Sequence, residues 1–232
     1  MKEKISIKSI EVNGRIIEAC EKYDRDADDI TVIAVTKTHP ASVINVAVAS
    51  GFHNIGESRI QEAEPKIKQI GPIARFHLIG HLQSNKAKKA VELFDVIQSV
   101  DSLKLAEEIS RQAKEIDRTL ECYLQVNCSG ELQKYGCSPD EAIVLAEQIH
   151  QLDNINLTGL MTIGPFVEDE DIIRSAYARC YKLYRLCRDK FGDDFDTLSM
   201  GMSNDLELAI AEGSNMLRIG SALFGPRDAS NR

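Results

Sequence analysis

Short apolar runs alternate with longer amphipathic segments along most of this chain. After an opening helix predicted over residues 3–23, runs rich in Val, Ile and Leu recur at strand length, and each is bounded by Gly, Pro, Ser, Asn or Asp. Seven of them precede a helix-like run, whereas the last, at 216–221, leads into "ALFGPRDASNR", where we expect a short helical turn. The eight predicted strands are "TVIAVT", "HNIGES", "RFHLIG", "VIQSVD", "CYLQVN", "LTGLMTI", "TLSMGM" and "MLRIGS".

The alternation predicts an α/β fold with parallel strands. Continuous apolar strands separated by helices are typical of a sheet that is covered on both faces. Eight units of about 25 residues fit a closed (β/α)8 barrel of the TIM type, here with an extra N-terminal helix. An open doubly wound sheet is the alternative, but such a sheet usually carries a Gly-rich phosphate loop after its first strand, and this chain has none there. Residues 1–232 contain no evident linker, so they are predicted to form one domain.

Composition and charge narrow the function classes. The formal net charge of −8 gives no broad basic field, which argues against nucleic acid and anionic lipid as partners. No apolar run approaches the roughly 20 residues of a membrane-spanning helix, and the N-terminus lacks a signal-peptide core, so a cytoplasmic protein is expected. The six cysteines include no Cys-x-x-Cys pair, which favours reduced thiols over zinc. A small-molecule ligand is therefore the expected partner.

Lys37 is the candidate nucleophile. In a (β/α)8 barrel the residues just after each strand converge on one rim, and Lys37 follows the first predicted strand. A lysine in a partly dry barrel mouth loses hydration of its charged form, so its pKa falls and the free amine can attack a carbonyl. The alternative is a solvated lysine at a strand end, which is the usual state of lysine.

Two loops near the C-terminus are candidate phosphate sites. Gly201 and Ser203 lie in the loop after the seventh predicted strand, and Gly220 and Ser221 begin the helical turn after the eighth. Backbone N–H groups and hydroxyls at such positions can face an anion, and barrels commonly bind phosphate there. The alternative is that Ser203-Asn204-Asp205 is simply a helix N-cap cluster. Because the eighth strand pairs with the first in a closed barrel, an aldehyde that carries a phosphate is expected, and pyridoxal 5'-phosphate fits that description.

Arg218 is the candidate partner of the pyridine nitrogen. It lies in the eighth predicted strand, just before the phosphate loop. A guanidinium does not give up its proton, so a pyridine nitrogen that meets it stays unprotonated, and the ring is a weak electron sink. This argues against transamination and decarboxylation. A salt bridge from Arg218 to a carboxylate on the rim is the alternative.

The motifs "AVTKTHP", "IGESRIQEAEPK", "FHLIGHLQSNKAK", "GLMTIGP" and "LSMGMSNDLELAIAEGSNMLRIGSALFG" together resemble those of the pyridoxal phosphate homeostasis proteins. Those proteins are similar to the N-terminal barrel of bacterial alanine racemase, and the resemblance covers residues 4 to 228. It implies a single barrel with pyridoxal phosphate bound to Lys37. It also implies phosphate contacts at Ser203, Gly220 and Ser221 and a pyridine-nitrogen contact at Arg218.

One position departs from the family pattern. The family commonly has Gly-Glu-Asn where this chain has Gly56-Glu57-Ser58, so Ser58 stands where an asparagine amide would approach the cofactor. The segment "SGELQKYG" matches the family's Lys-x-Gly loop through Lys134 and Gly136, and the sequence assigns this loop no role.

Three functions are compatible with these residues. The resemblance implies a non-catalytic carrier that buffers pyridoxal phosphate and delivers it to apoenzymes. A racemase is the second, but it needs an acid/base on each face of the substrate, and Tyr135 is the tyrosine placed near a rim loop. A cofactor-free Schiff-base aldolase acting on a sugar phosphate is the third.

A monomer is expected. No metal site is expected, because His77 and His81 span a strand and its exit rather than one helical face.

Overall fold

The strands of the computed structural model, which describes residues 2–225, form one closed parallel barrel in the order β1 to β8. They are β1 (Thr31–Val35), β2 (Asn54–Glu57), β3 (Arg75–Leu78), β4 (Val96–Val100), β5 (Leu120–Gln125), β6 (Ile155–Met161), β7 (Thr197–Met202) and β8 (Met216–Ile219). The predicted (β/α)8 fold is confirmed. These strands are rich in β-branched and apolar residues because both faces of the sheet that they form are buried.

Nine α-helices alternate with the strands in residues 2–225. They are α1 (Lys2–Lys22), α2 (Ala41–Ala49), α3 (Ile60–Ile70), α4 (Ala87–Leu93), α5 (Leu103–Glu115), α6 (Ala142–His150), α7 (Glu170–Phe191), α8 (Leu206–Ala211) and α9 (Ser221–Phe224). The predicted extra helix is α1, which packs against α8 and α9. Asp169 caps α7 by accepting from the N–H groups of Asp171 and Ile172.

The hydrophobic core has two parts. The larger part lies between the barrel and the surrounding helices. The smaller part fills the barrel interior with side chains from several strands, among them Ile33, Val35, Tyr123, Met161 and Met216. All six cysteines are buried free thiols. Within residues 2–225, no helix combines the length and the apolar character needed to cross a bilayer.

The predicted bounds of two strands differ from those in the structure. The predicted "CYLQVN" and "LTGLMTI" correspond to strands that begin and end two residues earlier, at Leu120–Gln125 and Ile155–Met161. After Gln125 the Val126 N–H still donates to the Met161 carbonyl, but Val126 also forms an isolated bridge with Cys137, and the Asn127 N–H donates to the Cys137 carbonyl rather than to β6. The predicted turn after β8 is α9, and the rest of that segment, residues 226–232, lies outside the described residues.

Candidate functional site

Lys37 lies in a tight turn directly after β1. The Thr36 N–H continues the ladder by donating to the Gly56 carbonyl, and the His39 N–H closes the turn on the Thr36 carbonyl. Lys37 is half-buried. Thr38 has a φ of 70°, a left-handed conformation that costs a β-branched residue about 1–3 kcal/mol. The candidate nucleophile therefore sits in a strained turn at the strand carboxyl ends.

A buried cluster of charges holds this turn on both sides of Lys37. The Lys66 ammonium on α3 donates to the Thr36 carbonyl (2.9 Å), to Glu57 Oε1 (2.8 Å) and to Glu62 Oε1 (2.6 Å). The Thr36 hydroxyl donates to Glu57 Oε1 (2.6 Å), and the Thr38 N–H donates to the Glu62 carboxylate. Burial raises the pKa of Glu57, against the opposing effect of Lys66. None of the three charged residues of this cluster was among the site residues predicted from the sequence.

The predicted phosphate loops meet at Ser203. Its hydroxyl accepts from the N–H groups of Gly220 (3.3 Å) and Ala222 (3.1 Å). Of the alternative N-cap cluster, Asp205 occupies the N-cap position of α8, but its carboxylate accepts from the Met202 N–H and makes no side-chain cap. Ser203 lies before that position and is bonded to the loop after β8 instead. Gly220 is the N-cap residue of α9, and Ser221 is its exposed first residue.

Helix α1 supports this loop from outside the barrel. The Arg15 guanidinium donates to the Ser203 carbonyl (3.0 Å) and forms a bidentate ion pair with Glu207 (2.7 and 2.9 Å). Bidentate geometry fixes both partners in direction as well as distance. The extra helix thus helps to set the position of Ser203.

Strand pairing places the Lys37 turn beside the Ser203 loop. β1 pairs directly with β8, with Ile33 opposite Arg218 and Ala34 opposite Ile219. Gly220 lies against the last residue of β1, where an added Cβ would be 3.5 Å from the Val35 carbonyl oxygen. The predicted closure, which brings the first strand beside the last, is confirmed.

Arg218 is buried inside the barrel, at 5% exposure. Its Nη1 donates to the Ser199 hydroxyl and its Nη2 to the Thr162 carbonyl, each at 2.7 Å. No carboxylate within residues 2–225 forms an ion pair with it, so the salt bridge that was the alternative is not found there. Burial lowers the pKa of Arg218, but a guanidinium remains a cation at neutral pH.

A chain of hydrogen bonds crosses the barrel from Arg218. The Ser199 hydroxyl donates to Gln98 Oε1 (2.8 Å), and Gln98 Nε2 donates to His77 Nδ1 (3.0 Å). Since that amide nitrogen can only donate, the His77 proton is on Nε2, which donates to Asn54 Oδ1 (3.1 Å). Burial lowers the pKa of His77 to about 3. His77 is thus a neutral, hydrogen-bonded core residue.

Ser58 follows β2 on the same rim. β2 is the neighbour of β1, with Gly56 opposite Val35. The backbone of Ser58 packs against Gly80, where an added Cβ would lie 2.1 Å from the Ser58 carbonyl oxygen. No residue within 2–225 accepts or donates a hydrogen bond at its hydroxyl. Ser58 is therefore placed near the Lys37 turn without being tied to it.

The Lys134 loop closes one side of the rim. The Lys134 ammonium donates to the Gly164 carbonyl (2.6 Å) and pairs with Glu131. The neighbouring Tyr135 ring stacks on His81, with centroids 3.7 Å apart, and His81 approaches Asp101 (3.5 Å). Lys134 thus links the loop after β5 to the loop after β6, a role that the sequence did not assign.

Comparison with known proteins gives consistent matches. The model of the alanine racemase N-terminal domain family matches residues 13–228. The chain is 42% identical to the pyridoxal phosphate homeostasis protein of Pseudomonas aeruginosa, over 94% of this chain and 93% of that protein. It is 36% identical to the protein of the same name from Escherichia coli K12, over 96% of both chains.

Solved structures also match. PipY of Synechococcus elongatus with pyridoxal phosphate bound has a TM-score of 0.79 and 37% identity, covering 90% of this chain and all of PipY. An unknown protein from Bifidobacterium adolescentis has a TM-score of 0.92 and 40% identity, covering 96% and 95% of the two chains. An alanine racemase from Clostridium difficile shares the fold at 17% identity, with a TM-score of 0.77. The match covers 95% of this chain and 57% of the racemase.

Proposed function

Because the chain belongs to the alanine racemase N-terminal domain family, among the pyridoxal phosphate homeostasis proteins, we propose that it binds pyridoxal 5'-phosphate reversibly on Lys37. The observation that carries the proposal is the pairing of β1 with β8, which brings the Lys37 turn beside Ser203 and Gly220. The bound group supplies an aldehyde, with which the Lys37 amine condenses to a Schiff base as one water leaves.

The residues present fit this cofactor. The Arg218 guanidinium has five N–H donors. Described residues accept hydrogen bonds from two of its nitrogens, Nη1 and Nη2, so other N–H groups remain for a ring nitrogen. The Ser203 hydroxyl accepts from two backbone N–H groups, which leaves its own proton free to be donated. Ser221 is the exposed first residue of α9 at the same loop, and its hydroxyl would add a second contact to a phosphate. Ser58, on the neighbouring strand end, would contribute a short hydroxyl.

The site favours holding a cofactor over using it. A cationic Arg218 at the ring nitrogen would keep that nitrogen unprotonated, and the ring would then be a poor electron sink. Racemisation also needs an acid/base group on the face opposite Lys37, and the Tyr135 ring is instead stacked on His81. We therefore propose a carrier that buffers pyridoxal phosphate, delivers it to apoenzymes and has no robust catalytic activity.

Absorbance and reduction test this proposal. The purified chain is expected to be yellow, and borohydride should fix the cofactor on the peptide that contains Lys37, as read by mass spectrometry. Lys37→Ala should lose at least about 90% of the fixed cofactor, because the nucleophile is gone. Lys68→Ala, which removes an exposed lysine, is the matched control and should behave as the parent does.

Two results would overturn the proposal. A colourless parent that takes up no added pyridoxal phosphate would exclude it and would favour a cofactor-free aldolase. Racemisation of alanine by the parent at enzyme-like rates would show that the chain is a racemase rather than a carrier.

A further inference from the structure

The Thr36–His39 turn is held in a conformation that its own residues do not prefer. Thr38 has a φ of 70°, in the left-handed region where glycine and asparagine are common and β-branched residues are rare. Strain of this kind persists only where surrounding contacts impose it, and it concentrates at functional sites. The contacts that impose it here come from β2 and α3.

Each side of Lys37 is tied by a different group of the cluster. Before Lys37, the Thr36 carbonyl accepts from the Lys66 ammonium and the Thr36 hydroxyl donates to Glu57. After Lys37, the Thr38 N–H donates to Glu62. Lys66 joins the two sides, because it donates to Glu57 and to Glu62 as well.

The burial of this cluster indicates a fixed structure rather than a surface ion pair. The side chains of Glu57 and Lys66 are 0% and 8% exposed, and that of Glu62 is 27% exposed. Buried charges that are hydrogen-bonded to one another keep a defined geometry, because each would be left without a partner if it moved. A mobile, solvated pair would not hold a strained turn.

We propose that Lys66, with Glu57 and Glu62, is a positioning group that fixes the backbone on both sides of Lys37 and so directs its amine toward the carbonyl it captures. The inference rests on the proposed function of Lys37. None of the three residues reacts: the ammonium of Lys66 is fully engaged by three oxygen acceptors, which matches its three N–H donors. Lys37 is thereby distinguished from Lys66, which is distant in sequence but whose ammonium is buried next to the same turn.

Glu62 allows the sharpest test. Glu62→Ala removes the acceptor of the Thr38 N–H but leaves the buried Lys66–Glu57 pair, whereas Glu62→Gln keeps a side-chain oxygen that can accept from the same N–H. Glu64→Ala is the matched control, because Glu64 is on the same helix, has the same 27% exposure and pairs with a lysine four residues later, Lys68.

Two measurements on the full-length chain separate positioning from general stability. The first is amide hydrogen exchange of the peptide that contains Thr38, in cofactor-free protein. The second is the rate at which added pyridoxal phosphate becomes fixable by borohydride on Lys37. Glu62→Ala is expected to accelerate the exchange and to slow the capture at least about ten-fold, because a hydrogen bond to a charged acceptor is lost. Glu62→Gln should bring both the exchange rate and the capture rate most of the way back to the parental values, and Glu64→Ala should match the parent in both.

The inference would be overturned if Glu62→Ala showed the same amide exchange rate and the same rate of cofactor capture as the parent. If the parent itself captures nothing on Lys37, the proposed function fails, and the exchange measurement still decides whether Glu62 holds the turn. Lys66→Met gives a second, stronger perturbation. If it folds, it should slow capture further than Glu62→Ala does, and capture at the parental rate would again contradict the inference. If it does not fold, the Glu62 variants decide.

Discussion

At the scale of single residues, Ser203 shows how one hydroxyl organises the loop beside Lys37. It is buried, it accepts from the N–H groups of two residues after β8, and its carbonyl is held by Arg15 from α1. One small residue, through its hydroxyl and its carbonyl, therefore connects β7, the loop after β8 and the extra helix. A hydroxyl held in this position is suited to binding an anion.

Ser203→Ala is expected to weaken the binding of pyridoxal phosphate about ten-fold, because the proposed hydroxyl donor to the phosphate is lost and the loop after β8 loses its acceptor. Binding is measured by fluorescence titration in the Lys37→Ala background, where covalent capture does not contribute. Pyridoxal, which lacks the phosphate, is the control ligand, and its affinity should change little. An equal loss for both ligands would show that Ser203 does not contact phosphate.

At the scale of elements, the close packing of β7 on α8 shapes the rim. Gly201 lies in β7 with a φ of 93°, and a Cβ added there would come within 2.4 Å of the Ala209 Cβ on α8. Neither the conformation nor the space admits a side chain. This approach sets the direction in which the chain leaves β7 toward Ser203.

Gly201→Ala should therefore lower the free energy of unfolding by about 2–4 kcal/mol, since backbone strain and overpacking add. Urea unfolding followed by circular dichroism measures the loss. Gly14→Ala in α1 is the contrasting substitution: nothing lies within 4 Å of its added Cβ, so it should raise the stability by about 0.5–1 kcal/mol through helix propensity. A neutral Gly201→Ala would contradict the packing argument.

At the scale of the whole molecule, the polar chain from Arg218 to Asn54 ties strands on opposite sides of the barrel together. It includes Ser199, Gln98 and His77, all buried. Such a network is stable only while each member keeps its hydrogen-bonding role. Protonation of His77 would convert its Nδ1 from an acceptor into a donor that faces the Gln98 amide nitrogen.

Acid should therefore destabilise the fold through His77. Its pKa is lowered from an ordinary value of 6.5 to about 3, so the unfolded chain binds more protons between those values and stability falls as the pH drops through that window. From pH 7 to pH 5 the His77 contribution to the free energy of unfolding should fall by about 2 kcal/mol. Urea unfolding at each pH measures this.

His77→Gln should be less stable than the parent at pH 7 but should show a flatter pH dependence, because the titrating group is absent. His53→Gln, which replaces an exposed histidine, should keep the parental slope. An unchanged slope in His77→Gln would show that other groups dominate the acid response.

The sequence alone determined the order of elements and the closed barrel, and it nominated Lys37 as the candidate nucleophile. Alternation of apolar strands with amphipathic helices is a local property of the chain, and a free amine can come only from a residue type that has one. Boundaries were less well predicted, as β5 and β6 show, because the residue at which a strand ends depends on its partner strands.

Only the tertiary structure decided which groups surround the candidate residues. Arg218 is bound by Ser199 and by Thr162, 19 and 56 residues away along the chain, and the turn of Lys37 is held by residues from β2 and α3. Such contacts depend on barrel register and on how helices pack outside it, and neither is encoded in the spacing of a local motif. Candidate groups could be proposed from residue types, whereas the geometry around them required the fold.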